Sequence, residues 1–250
     1  MLAIAHLSDT HFNGSPHAAE RAARVMSYVN RLREAVDAVL VTGDIADHGL
    51  VSEYEEAARV LVSAQPVLML PGNHDTRAPF REVLLGRRAP SDAQDGPINR
   101  LVQVAGTAFV LCDSTIPGQM HGLLADETIA WVADTLAGLP ESTPIFLCFH
   151  HPPVPLAMPF MDGIRLTGEQ RLAELIPLYP NLVAILCGHA HSAAAATFEG
   201  LPVLVAPGVS STVSLPWEQG EPVNYHLPPG LAFHTLADDR RLITHFRFVV

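Results

Sequence analysis

The sequence has little cysteine and no long apolar run, and both absences exclude classes of protein. Three cysteines occur among 250 residues, without CxxC spacing, in or at the end of apolar runs: Cys112, Cys148 and Cys187. They predict small core residues in a reducing compartment and argue against a disulfide framework. No stretch approaches the roughly 20 apolar residues of a membrane span, and no signal-peptide pattern follows Met1. We therefore expect a cytoplasmic protein with no membrane partner.

Basic residues are also scarce. The chain has 15 Lys and Arg against 26 Asp and Glu, which gives a formal net charge of -11. Affinity for a nucleic-acid backbone needs surplus positive charge, so a nucleic-acid polymer is not an expected partner. A small phosphate substrate remains compatible with this charge, because bound metal ions can reverse the local field.

The pattern of apolar residues predicts an α/β fold. Short runs rich in Val, Ile and Leu predict buried strands at residues 2–7, 38–41, 67–70, 108–112, 145–149, 182–187 and 203–206. Helical periodicity lies between several of them, at residues 17–35, 52–64, 126–137 and 168–176. Strands that alternate with helices indicate an α/β protein, and this length suits one domain with a large core.

Two local signals refine this prediction. Ser52 and Glu55 have the S-x-x-E spacing of a capping box, which predicts the start of a helix at that point. Near the C-terminus, residues 231–236 and 240–250 alternate in character around Asp238 and Asp239 and predict a β-hairpin that closes a sheet edge.

Polar groups follow five of the predicted strands directly. In chain order they are Asp9 with His11, Gly43-Asp44, Gly72-Asn73-His74-Asp75, His150-His151, and Gly188-His189-Ala190-His191. Sites in open α/β sheets form at the carboxyl ends of strands. We therefore expect these five groups to converge on one place.

The residue types in these groups are those of a metal site. Imidazole nitrogens and hard oxygens, with no thiolate, suit Zn, Mn or Fe. Alternation along an extended segment puts both side chains of D-x-H, and of H-x-H, on one side, where each pair could chelate an ion. Asp44 is the natural bridge between two ions, and two ions roughly 3.5–4 Å apart suit in-line displacement at phosphorus. The seven predicted ligands are Asp9, His11, Asp44, Asn73, His150, His189 and His191.

Each group alone has a plainer interpretation. A lone D-x-H is typical of a turn with a hydrogen-bonded histidine, and G-N-H-D alone is a turn signal. The occurrence of all five groups, each at a strand end, favours a metal site.

The ordered motifs D-x-H, G-D, G-N-H-D, H-H-P-P and G-H-x-H resemble the calcineurin-like metallophosphoesterase superfamily over Asp9 to His191, most of the chain. The resemblance implies a four-layer α/β/β/α sandwich with two mixed β-sheets. It implies a first metal held by Asp9, His11, Asp44 and His191, and a second held by Asp44, Asn73, His150 and His189. It also implies that His74 contacts the phosphate and stabilises or protonates the departing oxygen, that Asp75 orients the His74 ring, and that Asn73 and His74 bind substrate.

The segment from Gly43 to Tyr54, together with H-H-P-P, is most similar to the bacterial class III cyclic-nucleotide and glycerophosphodiester phosphodiesterases. This similarity implies hydrolysis of a small phosphodiester by a metal-bound hydroxide. The alternatives are a phosphomonoesterase of the same fold, a non-catalytic scaffold relative and a nuclease, the last disfavoured by the acidic charge. Residues 1–250 are expected to form one domain, with the catalytic core in 1–210 and a C-terminal loop and hairpin in 211–250.

Several points stay open at this stage. His150 is the predicted ligand of the histidine pair, because it adjoins the strand, and His151 would turn away or line the pocket. Asp47 could support the site or be a plain loop acid, whereas Asp113 and Ser114 are left out of it. Loops 115–124 and 151–168 are expected to border the pocket, with Met158, Phe160 and Met161 as an apolar surface or as packing. The choice among Fe, Mn and Zn and a homodimer involving the Pro-rich C-terminal region are also open.

Overall fold

The computed structural model describes residues 1–87 and 96–250. Its strands are β1 (Leu2–Leu7), β2 (Ala38–Thr42), β3 (Val67–Leu70), β4 (Arg100–Val104), β5 (Thr107–Leu111), β6 (Gly122–Leu123), β7 (Ile145–Cys148), β8 (Leu166–Thr167), β9 (Leu182–Cys187), β10 (Ala194–Phe198), β11 (Leu201–Val205), β12 (Thr212–Val213), β13 (Val223–Asn224), β14 (Gly230–Leu236) and β15 (Leu242–Phe248). Its α-helices are α1 (Pro16–Asn30), α2 (Val51–Val60), α3 (Arg77–Pro79), α4 (Asp126–Ala137), α5 (Pro159–Gly163) and α6 (Gln170–Leu175). A π-helical turn, Phe80–Leu84, continues α3, and a 3-10 turn, Ile176–Leu178, continues α6.

Two large mixed sheets form the centre of the protein. The first has the strand order β15-β14-β1-β2-β3, in which β1, β2 and β3 are parallel and the β14–β15 hairpin is antiparallel. The second has the order β10-β11-β9-β7-β5-β4, with four parallel strands between two antiparallel edge strands. The hairpin prediction is thus confirmed, and β15 forms one edge of the first sheet.

Three apolar cores separate four layers. One core contains side chains from both sheets, such as Ile4 and Leu40 from the first and Phe109 and Phe146 from the second. A second core joins the first sheet to α1 and α2, and a third joins the second sheet to α4 and α6. Because adjacent side chains on a strand point to opposite faces, continuous apolar runs can serve two cores at once. This arrangement is the predicted α/β/β/α sandwich.

The predicted strands all form, whereas six strands were missed: β4 and β10 at the edges of the second large sheet, and the two-residue strands β6, β8, β12 and β13. Strand β4 has no fully buried position, because half-buried and exposed residues alternate along it, and β10 contains three alanines, which have low strand propensity. Pairing with β5 and β11 makes these segments extended. The three cysteines are buried and free, as predicted.

Helices α1 and α2 differ from their predicted bounds, and α2 ends at Val60 rather than at residue 64. Helix α1 ends at Asn30 rather than at residue 35, because the next residues make tighter i−3 bonds and Asp37 then joins the sheet through the backbone of Ala3. Helix α2 begins one residue before Ser52, and the carboxylate of Glu53, not that of Glu55, accepts the backbone N–H of Leu50. The capping prediction was therefore wrong in its residues.

Candidate metal centre

The five polar groups meet at one edge of the sandwich. They follow the carboxyl ends of β1, β2, β3, β7 and β9, strands that run parallel within their own sheets. Backbone hydrogen bonds tie the loops to one another: Asp9 donates to the carbonyl of Gly43, and Gly188 donates to the carbonyl of His150. The side chains of both sheets thus converge as expected.

One cluster contains Asp9, His11, Asp44 and His191, whose potential ligand atoms all lie within 4.8 Å of one another. The Nε2 atoms of His11 and His191 are 3.1 Å apart. His191 Nε2 lies 3.5 Å from Asp9 Oδ1, and His11 Nε2 lies 3.6 Å from Asp44 Oδ2. This is the set that the family resemblance implies for the first metal.

A second cluster adjoins the first through Asp44. Its Oδ2 atom is also 3.2 Å from His150 Nε2, which lies 3.3 Å from His189 Nδ1. Asn73 follows β3, and its Oδ1 atom is buried without a hydrogen-bond partner. One carboxylate oxygen therefore lies within 3.6 Å of ligand nitrogens from both clusters.

The positions of protons and lone pairs on the histidine rings fit the binding of metal ions. His11 Nδ1 donates to Asp47 Oδ1 at 2.9 Å, and His150 Nδ1 donates to the carbonyl of Thr42 at 2.6 Å. Carboxylate and carbonyl oxygens only accept, so in the neutral rings the Nε2 atoms carry lone pairs. These lone pairs face other nitrogens and carboxylates, an arrangement that a cation stabilises. Partners of this kind on the far ring nitrogen are typical of metal-bound histidines.

Burial and neighbouring charges shift the pKa values of these groups in opposite directions. Burial would lower the pKa of His150, but the neighbouring Asp44 and Asp9 carboxylates raise it to about 9. Burial would raise the pKa of Asp44, but His150 and His11 hold it well below its usual range. Burial raises the pKa of Asp9 to about 6 and lowers the pKa values of His189 and His191 to about 3. The two neutral imidazoles are thus available as ligands near neutral pH.

The backbone is strained at these same residues. Nine described non-glycine residues have positive φ, and five of them are Asp9 (57°), His11 (43°), Asp44 (48°), His189 (71°) and His191 (52°). Left-handed backbone is unfavourable for residues with a Cβ and concentrates at functional sites. The D-x-H and H-x-H segments are therefore not extended, contrary to the prediction, and the two histidines of H-x-H lie in different clusters.

Two glycines allow close approach at the shared carboxylate. A Cβ on Gly72 would lie 2.2 Å from Asp44 Oδ1, and a Cβ on Gly43 would lie 2.6 Å from His150 Nδ1. Gly43 also has a φ of 92°, which favours glycine. The glycines of G-D and G-N-H-D therefore have a steric reason for their positions.

His74 and Asp75 lie beside the clusters, but their relation differs from the expectation. The Asp75 carboxylate accepts the backbone N–H groups of Ile45, Ala46 and Gly72, and burial raises its pKa to about 6. The ring of His74 is held instead by Asp47, because His74 Nδ1 donates to the Asp47 carbonyl at 2.8 Å. The expectation that Asp75 orients this ring was wrong, since its oxygens are committed to joining two strand-end turns.

Asp47 supports the site through two histidines. Besides its bond to His11, its Oδ1 lies 3.6 Å from His74 Nδ1. His11 in turn holds the pKa of Asp47 below its usual value. The sequence left the role of Asp47 open and gave no signal for Thr42 or Ser211, whose oxygens contact the ligand histidines.

His151 lies beside the second cluster, with a potential ligand atom within 4.8 Å of those of His150 and His189. It is fully buried, with Nδ1 2.8 Å from Ser114 Oγ and Nε2 3.2 Å from the carbonyl of Met120. Both ring nitrogens are therefore engaged, which favours His150 over His151 as a ligand. Asp113 lies apart from the clusters and binds Arg77 at 2.8 Å.

A cavity of about 330 Å³ opens over the clusters. Phe160 and Met161 line one part of it, whereas Met158 packs into the apolar core. Val213 and Tyr225 contribute further apolar surface. This volume lies within the roughly 300–1,000 Å³ of small-molecule sites.

Three further histidines belong to neither cluster. His48 and His226 are exposed, and His6 is fully buried in β1. Among the helices of the described residues, none is both long and apolar enough to cross a membrane.

Comparisons with known proteins agree with the motif order. The sequence model of the family described as calcineurin-like phosphoesterase matches residues 2–193. The chain is 34% identical over 241 residues to the glycerophosphodiester phosphodiesterase GpdQ of Enterobacter lignolyticus, covering 92% of this chain and 86% of that protein. It is 30% identical over 249 residues to the 3',5'-cyclic adenosine monophosphate phosphodiesterase CpdA of Pseudomonas aeruginosa, covering 96% of this chain and 88% of that protein.

A solved structure has the same fold. A dimetal phosphatase from Danio rerio superposes with a TM-score of 0.75 at 15% identity, covering 100% of this chain and 96% of that chain. At this identity the similarity concerns the fold alone.

Proposed function

The chain belongs to the calcineurin-like phosphoesterase family, and from this premise we propose that it is a binuclear phosphodiesterase that acts on small-molecule phosphodiesters. The resemblance inferred from the motifs is confirmed, and with it the class of metal-dependent phosphoester hydrolase. The two named relatives act on glycerophosphodiesters and on 3',5'-cyclic AMP. Substrates of these two kinds are the candidates for this chain.

The observation that carries the proposal is the position of Asp44 between two ligand clusters. Asp9, His11 and His191 would hold one metal with Asp44, and Asn73, His150 and His189 would hold the other with the same carboxylate. The donor set of imidazole, carboxylate and amide suits Fe, Mn or Zn. When bound, such a pair supplies Lewis acidity, a lowered pKa for water and stabilisation of both the attacking and the departing oxygen.

His74 is the proposed proton donor to the departing oxygen. Its Nδ1 proton is committed to the Asp47 carbonyl, and its backbone N–H donates to Asp44 Oδ1 at 2.9 Å. The ring borders the cavity and is 41% exposed, so substrate can reach Nε2. Because Nδ1 keeps its proton on the Asp47 carbonyl, the ring donates from Nε2 in its doubly protonated form and is left neutral after the transfer. Asn73 and His74 together form the proposed phosphate-binding turn. Asp75 holds that turn in place through backbone N–H groups and takes no part in proton transfer by His74.

The test is hydrolysis by metal-depleted and metal-restored protein. We expect no activity after chelation, and restored hydrolysis of bis-p-nitrophenyl phosphate and cyclic AMP after addition of Mn²⁺. A phosphomonoesterase would instead favour p-nitrophenyl phosphate. Metal-loaded protein that hydrolyses none of these esters would contradict the proposal and favour a non-catalytic scaffold.

We further propose that residues 1–250 act as one domain, because β14 pairs with β1, the strand that precedes Asp9. A homodimer involving the Pro-rich C-terminal region also remains a prediction. Trp217 and Leu227 are exposed there and are the side chains that such an interface would cover. Light scattering of the purified protein tests the assembly state.

A further inference from the structure

A buried arginine lies behind the wall of the cavity and outside the metal clusters. Arg21, in α1, is only 7% exposed. Its guanidinium donates to three main-chain carbonyl oxygens that lie 188 to 206 positions later: Nε to Val209 at 2.7 Å, Nη1 to Tyr225 at 3.2 Å and Nη2 to Leu227 at 2.8 Å. In the described part of the chain no carboxylate pairs with this guanidinium. The three bonds to carbonyl groups must therefore offset the burial of its charge.

Two of these bonds hold a segment that has few other means of support. Residues 212–227, which we call the strap, contain β12, β13 and the loop between them. The two strands pair over two residues each, and so short a hairpin has little stability of its own. Trp217, Tyr225 and Leu227 are 70%, 54% and 46% exposed. Because burial contributes little, the position of the strap depends on its polar contacts.

The two ends of the strap are held by different partners. The residue before its first strand, Ser211, contacts the metal cluster, because its Oγ lies 2.8 Å from His191 Nδ1. At the other end Asn224 Oδ1 accepts the backbone N–H of Leu227, which fixes the local turn but not its place on the protein. Arg21 supplies the bonds that join this end to a helix.

The strap forms part of the cavity wall. Val213, Val223 and Tyr225 line the same 330 Å³ cavity as the ligand histidines. His17, one turn before Arg21 on α1, meets the Tyr225 ring edge-on, with ring centroids 5.9 Å apart. Helix α1 thus holds Tyr225 both through its carbonyl and through its ring, and it sets where this apolar wall stands relative to the metal centre.

We propose that Arg21 is a positioning residue, which fastens the strap to α1 and so keeps Tyr225 in the wall that contacts an organic group of the substrate. The inference rests on the proposed function and concerns how the ester group beside the phosphate is held. Contacts with this wall are the same before and during the reaction, because the wall is remote from the bond that breaks. Their loss raises KM and leaves kcat unchanged.

The test compares two diesters with the same leaving group, bis-p-nitrophenyl phosphate and ethyl p-nitrophenyl phosphate. Arg21→Met keeps the aliphatic stem and removes the donors. We expect KM for the diaryl ester to rise roughly tenfold, with kcat within about twofold. KM for the ethyl ester should change by less than about twofold, because an ethyl group offers the wall little area. Arg24→Met makes the same change at an exposed position on α1 and should alter neither ester's KM.

A double-mutant cycle tests whether Arg21 acts through Tyr225. Tyr225→Ala alone should raise KM for the diaryl ester, and the double variant should be no worse than the more severe single variant, because both remove the same wall. Cleavage by chymotrypsin after Tyr225 should also become faster in Arg21→Met under native conditions, since the strap is released. Additive effects on KM, or an unchanged rate of cleavage, would overturn the positioning role.

The outcomes separate this inference from the proposed function. Equal losses on both esters, or a fall in kcat alone, would overturn the role of Arg21 while leaving a phosphodiesterase in place. Unmodified, metal-loaded protein that hydrolyses neither ester would overturn both proposals. If Arg21→Met does not fold, Arg21→Lys replaces it. Lysine keeps the charge but donates from a single nitrogen that cannot bridge all three carbonyls, so it must give the same selective rise in KM, in smaller measure.

Discussion

Two groups of buried histidines in this protein differ in their hydrogen bonding. His6 and His234 form a closed chain within the first sheet: Thr42 Oγ1 to His6 Nε2 at 2.8 Å, His6 Nδ1 to His234 Nε2 at 3.0 Å, and His234 Nδ1 to Thr244 Oγ1 at 2.9 Å. At the metal-facing clusters, in contrast, ring nitrogens of His11, His150, His189 and His191 face one another or carboxylates.

The difference shows which buried histidines are structural. Hydroxyl groups can donate or accept, so the two threonines allow the His6–His234 pair to satisfy every ring nitrogen with neutral rings. The clusters lack such neutral partners on the inward side, and His189 Nε2 is unpartnered. Burial alone therefore does not identify a histidine as a metal ligand. Ring nitrogens whose lone pairs point toward one another do.

The largest effect is expected from Asp44→Asn, which keeps the shape of the side chain and removes the shared negative charge. The loss of several kcal/mol of charge stabilisation corresponds to a fall in kcat/KM of about 10²- to 10³-fold or more. Bound metal should fall below two ions per chain by elemental analysis. Asp134→Asn, on the exposed side of α4, is the control. Full activity in Asp44→Asn would remove the bridging role.

His74→Ala tests the histidine that borders the cavity but belongs to neither group. We expect kcat to fall by about 10²- to 10⁴-fold, because proton donation is lost, while both metals remain bound. The matched control is His226→Ala, which removes an exposed histidine. An unchanged kcat with full metal content would exclude His74 as the proton donor.

Asp47→Ala removes the carboxylate that holds the proton on His11. Loss of such a partner typically weakens metal binding by about 10- to 100-fold, which competition with a chelator can measure. Asp47→Asn retains an acceptor oxygen and should recover part of the affinity. If both variants bind metal as tightly as the unmodified protein, the contact between Asp47 and His11 does not contribute to metal affinity.

His234→Leu should affect stability and leave the metal centre intact. It leaves His6 Nδ1 without its partner, at an expected cost of about 1–3 kcal/mol in the free energy of unfolding. Urea titration measures this loss, and kcat and metal content should stay within about twofold. A loss of bound metal in this variant would erase the distinction between the two groups of histidines.

The last effect concerns the pH dependence of stability, and near neutral pH it is the smallest. Burial lowers the pKa of His234 to about 3 and that of His6 well below its usual range. The unfolded chain binds these protons near pH 6.5, so the stability is fully present above that pH and is lost as the pH falls toward 3. Each histidine contributes a slope of about 1.4 kcal/mol per pH unit in this window. His234→Leu should remove one such contribution, as urea titrations at several pH values would show.

The sequence predicts those features that depend on residues close together along the chain. Apolar runs identify the central strands, and the polar residues directly after them identify the candidate ligands, because parallel strands bring their carboxyl ends together. The edge strands β4 and β10 were missed because their sequences lack a strong strand pattern and become extended through pairing with neighbours.

The supporting contacts could not be predicted in the same way. Two of the three backbone N–H partners of Asp75, in Ile45 and Ala46, are about 30 positions earlier, and the partner of His150 is a carbonyl in β2. Every residue has such backbone groups, so the sequence contains no signal for them. For the same reason the assignment of Asp75 to the His74 ring failed while its position beside the site was correct.

The C-terminal hairpin has a consequence for folding. Strand β1, which leads into Asp9 and His11, lies between β2 and β14, and Leu2 pairs with Leu236. A chain can pair β1 with β2 through short-range contacts, but the other side of β1 acquires its neighbour only through contacts that span most of the sequence. A variant truncated before Gly230 would leave that side of β1 as an unpaired sheet edge.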